Sequence, residues 1–117
     1  MSKTAPLLWL PLILWTVVIG FLSFSTIPTA IVPEFKAADK LAHFGMYALV
    51  EVFIYLPLRN NKTAFKIFTL LAISFAALTE VVQHFAITSR TGEVYDFIAN
   101  LIGIIVVYIY FINKIKT

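Results

Sequence analysis

The sequence predicts an all-α protein: a polytopic transmembrane four-helix bundle, a single domain over residues 1–117, with both termini in the cytoplasm. Three observations point there. The first is composition. Hydrophobic residues make up 61% of the chain and charged residues 13%, whereas soluble domains average about 45–50% and about 25%. The mean hydropathy is +0.93. The second is that the apolar residues fall in four long, continuous runs. Lipid offers the backbone no hydrogen-bond partner, so only helices or a closed barrel can cross it, and a barrel would show short alternating segments. The third is the distribution of Lys and Arg, which favours alternate linkers.

The first run covers residues 5–25 and carries no charge. Lys3 before it and "PTA" at 28–30 after it give it some likeness to a signal peptide. The apolar region of a signal peptide is about 7–15 residues, however, and this run is longer, so a retained helix is expected. The second run, 41–58, contains Glu51; the third, 65–87, contains Glu80; the fourth is 94–112. All four lie near the span of about 17–25 residues that a membrane helix needs. The linker at 27–40 holds Pro28 and Pro33, which discourage helix. "RNNKT" at 59–63 is a polar turn, and "TSRTGEVYD" at 88–96 contains Gly92, which can turn the chain. Links this short make consecutive helices antiparallel.

Orientation follows from the basic residues. An inside N-terminus puts Lys3, Arg59, Lys62, Lys66, Lys114 and Lys116 in the cytoplasm and Lys36, Lys40 and Arg90 outside. Trp9, Tyr108 and Tyr110 then sit near the inner interface as anchors. The chain has no cysteine, which excludes disulfides, thiolate metal sites and a thiol nucleophile. The net charge of +3 is scattered rather than gathered in a stripe, so a nucleic-acid partner is not expected. No phosphate-cradling glycine loop, cofactor motif or serine elbow is present.

Each of the last three runs carries one polar stripe at helical spacing: Lys40, His43, Tyr47 and Glu51; Glu80, Gln83, His84 and Ile87; Asp96, Asn100 and Gly103. In the expected topology these stripes meet in the outer leaflet. Glu80 lies roughly 10–15 Å below the outer end at 1.5 Å per residue. Glu51 is the exception and falls in the inner half or near the midplane. An ionised side chain at a helix centre costs roughly 2.5–3.5 kcal/mol on insertion scales, so the stripes should face protein. Candidate partners for Glu80 are His43, His84, Arg90 and Lys40, or, as simple interhelical glue, Asn100 and Tyr47.

At these positions the chain resembles the VanZ-like family of small membrane proteins. The matching pieces are "DKLAHFGMY" with Asp39, Lys40, His43 and Tyr47; "EVVQ" with Glu80 and Gln83; Arg90; and "DFIANLIG" with Asp96, Asn100 and Gly103. Their order and spacing fit the family pattern over residues 33–106, whereas Glu51 and His84 fall outside it. The resemblance implies a cell-envelope protein of a bacterial plasma membrane. The family's name-giving member is associated with low-level resistance to the glycopeptide antibiotic teicoplanin.

The leading functional expectation is an outer-leaflet polar pocket that binds or modifies an anionic lipid or lipid-linked envelope precursor. Glu80 and His43 are the candidate catalytic residues, one of them moving a proton. Asp39, Lys40, Tyr47, Gln83, Arg90, Asp96 and Asn100 are the candidate ligand-binding residues, with Lys40, Arg90 and His43 holding phosphate by charge-assisted bonds. Whether a reaction is catalysed is left open. Two alternatives stand beside this: a structural or partner-binding module without catalysis, and a small proton-coupled carrier working as a homodimer, with Glu80 protonating and Asn100 in the path. No metal is expected, because of the candidate ligands His43, His84, Glu80 and Asp96 only Glu80 and His84 stand at close spacing. Plainer roles compete at each site. Lys40, His43 and Tyr47 suit an interface. Asp96 suits a loop ion pair with Arg90 or an N-cap of the fourth helix. Asn100 and Gly103 suit close helix packing, His84 suits a bundle-lining place, and Glu51 suits a structural pairing with a neighbouring helix or Arg59.

Overall fold

The computed structural model describes residues 5–24, 36–86 and 94–115. These form four α-helices and no strand: α1 (Leu10–Phe24), led by a 3₁₀ turn at Ala5–Trp9, α2 (Lys36–Leu58), α3 (Lys62–Ala86) and α4 (Val94–Ile112). Three segments within them, Lys40–Leu58, Lys62–Val82 and Tyr95–Ile112, are long and apolar enough to cross a membrane. The chain is a membrane protein on that ground, with lipid as the environment of its outward side chains. The α-helical part of the first run is shorter, 15 residues. Pro6 and Pro11 lack an N–H, so the run opens as a 3₁₀ turn and the α-helix begins only at Leu10.

Two helices begin earlier than hydropathy indicates. α2 starts at Lys36 instead of residue 41. Residues 36–40, KAADK, carry three charges, yet Lys and Ala are good helix formers, so the helix outruns the apolar segment. α3 starts at Lys62 instead of residue 65 because Asn61 caps it. The Asn61 side chain accepts from the Ala64 N–H at 3.0 Å, and its carbonyl accepts from Phe65 N–H at 3.0 Å. The turn before it closes with Asn61 N–H donating to the Leu58 carbonyl at 3.0 Å. Pro57 occupies the last turn of α2.

Helix α2 is central, touching α1, α3 and α4. Its buried stripe, Tyr47, Val50, Glu51, Ile54 and Leu58, recurs every three to four residues. α3 presents Phe65, Thr69, Ala72, Ala76, Thr79 and Glu80 on the same rule. Contacts at Glu51–Thr69 and Tyr55–Phe65 show α2 and α3 antiparallel. Contacts at Lys40–Asp96 and Tyr55–Phe111 show α2 and α4 running the same way. The last turns of α2 and α4 and the first turn of α3 join in an aromatic layer: Tyr55 stacks on Phe111 at 3.9 Å, Phe65 stacks on Tyr108 at 5.5 Å, and Tyr55 meets Phe65 edge-on. The opposite faces expose Leu70, Leu71 and Leu78 on α3 and Ile98, Ile102 and Ile109 on α4, as a lipid-bathed surface requires.

α1 docks through its tryptophans. Trp9 packs on Phe68, and Trp15 meets Phe53 edge-on while its Nε1–H donates to the Met46 carbonyl at 2.9 Å. Trp9 and Tyr108 thus also make interhelical contacts. Tyr110 is largely exposed, with the Lys114 ammonium 4.7 Å above its ring. Trp15→Phe keeps the ring contact and removes the hydrogen bond. We expect it to lower the unfolding free energy in detergent by about 0.5–1.5 kcal/mol; no change in a denaturation midpoint would show that the bond does not hold α1.

Candidate functional site

The functional candidates gather where the first turns of α2 and α4 lie side by side. Gly103 allows this approach. A Cβ built there would stand 2.3 Å from the Phe44 carbonyl oxygen and 3.1 Å from the Ala48 nitrogen, both α2 backbone atoms. With no side chain between them, α2 and α4 come close enough for short polar side chains to bridge.

Four of the expected residues meet there. The Lys40 ammonium donates to Oδ1 of Asp96. His43 Nε2 stands 3.6 Å from Asp96 Oδ2. Asn100 is 1% exposed and faces the other side of the His43 ring at 3.2 Å. Its amide nitrogen, turned to where the acceptors are, donates to His43 Nδ1 at 3.2 Å, with the carbonyls of Asp96 and His43 at 3.3 Å. His43 Nδ1 is then an acceptor and its proton sits on Nε2, towards Asp96. Asn100 engages Nδ1, while Nε2 stands 3.6 Å from Asp96, beyond direct hydrogen-bond reach. The Lys40 ammonium and the Asp96 carboxylate offset one another's charge.

One turn deeper, Tyr47 is buried, and its hydroxyl stands 3.4 Å from Thr79 Oγ1. Thr79 donates its own proton to the Ala76 carbonyl at 2.9 Å, so Tyr47 is the donor of the pair. Glu80 is buried on α3, 9% exposed, within electrostatic reach of Tyr47. It faces protein, as the insertion cost demands. Asp39 lies on α2 and Gln83 and His84 on α3, described through their backbone, and Arg90 lies outside the described residues.

Two expectations change. Asp96 is 7% exposed and bound to α2 through Lys40 and His43, while Arg90, its expected loop partner, lies outside the described residues. It occupies the third position of α4 rather than the N-cap. Glu51 does not pair with Arg59, whose guanidinium donates to the Leu56 carbonyl at 3.4 Å; it takes a hydrogen bond with Thr69, Oγ1 to Oε2, at 2.6 Å. The residues that sequence reasoning missed are Thr69 and Thr79. They share the α3 face of Glu80 at three- and four-residue steps, and that spacing was the available signal. Among the described residues, no group of three or more His, Asp or Glu side chains could hold a metal ion.

No protein-family model matches the chain, and no curated protein or solved structure is significantly similar to it.

Proposed function

We propose that this chain is a VanZ-like protein of the cell envelope, an up-and-down four-helix bundle in the bacterial plasma membrane, with both termini cytoplasmic. Its outer-leaflet polar cluster binds an anionic lipid or a lipid-linked envelope precursor. The observation that carries this reading is the meeting of Lys40, His43, Asp96 and Asn100 at one end of two otherwise apolar helices. Lys40 is the headgroup contact. Its side chain is 26% exposed, so its ammonium can exchange part of its bond to Asp96 for a phosphate oxygen. In a catalysed step, Glu80 or His43 moves the proton. The placement of six Lys and Arg residues on one side against three on the other supports the topology.

A second reading, a structural module, is favoured by the mutual engagement of His43, Asn100 and Asp96. One comparison separates the two. Wild type and the paired variant Lys40→Met with Asp96→Asn are purified in mild detergent, and their co-purifying lipids and envelope intermediates are profiled by mass spectrometry, with Glu80→Gln alongside. Lipid binding at Lys40 predicts an anionic species enriched on wild type and at least tenfold depleted on the paired variant. Identical lipid profiles would leave the structural module standing. A species that binds Glu80→Gln unchanged in amount but altered in chemical form would identify Glu80 as the reacting group.

A further inference from the structure

Glu51 lies apart from the cluster. It is 0% exposed and sits near the middle of the span Lys40–Leu58, eleven residues or about 16 Å along α2 from Lys40. Its partner is Thr69, whose Oγ1 stands 2.6 Å from Oε2. Oε1 is buried and has no hydrogen-bond partner among the described residues. Tyr55, one turn further along α2, and Phe65, one turn earlier on α3, belong to the aromatic layer beyond it. No cation among the described residues forms a salt bridge with it.

Counting protons decides the state of this group. The Thr69 hydroxyl lies within hydrogen-bond distance of two acceptors, Glu51 Oε2 at 2.6 Å and the Phe65 carbonyl at 2.9 Å. A hydroxyl carries one proton and cannot donate to both. If Glu51 were an anion, one of the two acceptors would go without. The count closes when Glu51 supplies the second proton: Oε2–H donates to Thr69 Oγ1, and Thr69 donates to the Phe65 carbonyl. The separation of 2.6 Å suits a carboxyl O–H donor. Oε1 is then a neutral carbonyl, whose lack of a partner costs less than that of a charged carboxylate oxygen.

We infer that Glu51 and Thr69 form a proton-binding site at mid-span, in which Glu51 is a neutral acid donating to the Thr69 hydroxyl. The aromatic layer closes the site on the side of Leu58. Tyr47, one turn away on the same stripe, is the next polar group towards Lys40. The site stands independently of any lipid held at Lys40.

Infrared spectroscopy of the purified protein at neutral pH tests this. Wild type should show a protonated-carboxyl stretch that Glu51→Gln removes and Glu80→Gln retains. Glu51→Gln should also keep the wild-type melting midpoint, because its amide N–H replaces the acid O–H towards Thr69 and its oxygen replaces Oε1. Glu51→Ala should melt lower; if it does not fold, the wild-type and Glu51→Gln comparison alone decides. A wild-type spectrum without the band, or a band unchanged in Glu51→Gln, overturns the inference. So does a Glu51→Gln protein that melts well below wild type.

Discussion

Gly103→Ala is expected to destabilise the protein by about 3 kcal/mol, at the upper end of what overpacking a core costs, and Gly103→Val to leave no folded protein. The new Cβ would meet backbone atoms, the Phe44 carbonyl at 2.3 Å and the Ala48 nitrogen at 3.1 Å. A crowded side chain can change rotamer, but a helix backbone can only move away as a unit. Separating α2 from α4 would also lengthen the contacts of Asp96 with Lys40 and His43. Gly45 gives the control, since a Cβ there meets nothing within 4 Å. Gly45→Ala should gain a few tenths of a kcal/mol, up to about 1, from helix propensity. Denaturation in mixed micelles measures all three variants. Equal midpoints for Gly103→Ala and wild type would show that the close approach is not needed for stability.

The second large effect is the removal of one charge from the cluster. Lys40→Met leaves the Asp96 carboxylate, 11% exposed, without its ammonium. Breaking a buried pair in this way costs about 3–5 kcal/mol, whereas replacing both partners is often neutral or stabilising. The low end of that range is expected here. Lys40 is partly exposed at 26%, so its surroundings already screen part of the pair. Adding Asp96→Asn to Lys40→Met should therefore recover most of the loss. A double-mutant cycle reads the coupling directly. If the two single losses simply add, the pair contributes nothing to folding.

Much of this arrangement was legible in the sequence, for reasons that differ by element. The lipid-crossing runs are set by hydropathy and length, so α4 at 94–112 was readable to its ends. The polar stripes were readable because residues 40, 43 and 47, or 96, 100 and 103, share a face whatever the helices pack against. What a stripe meets is another matter. That Asp96 joins Lys40 depends on the register between α2 and α4, which no periodicity encodes. The pairing of Glu51 with Thr69 depends likewise on the α2–α3 register. The start of α2 was missed because hydropathy reports the oily part of a helix, while hydrogen bonding continues through Lys and Ala. The start of α3 could have been read from Asn61, a preferred capping residue standing just before it.

The Lys40–Asp96 pair joins α2 to α4 rather than to α3, its successor in the chain. Ribosomes release the chain in order, so α2 emerges with Lys40 and His43 well before Asp96 and Asn100 exist. During that interval α3 can offer Thr69 to Glu51, while the Asp96 carboxylate that Lys40 meets is still to come. The α2–α3 pair thus waits, with its groove over Phe44 uncovered, for the glycine face of α4. Biogenesis acquires a natural order, in which the arrival of the final span completes the assembly.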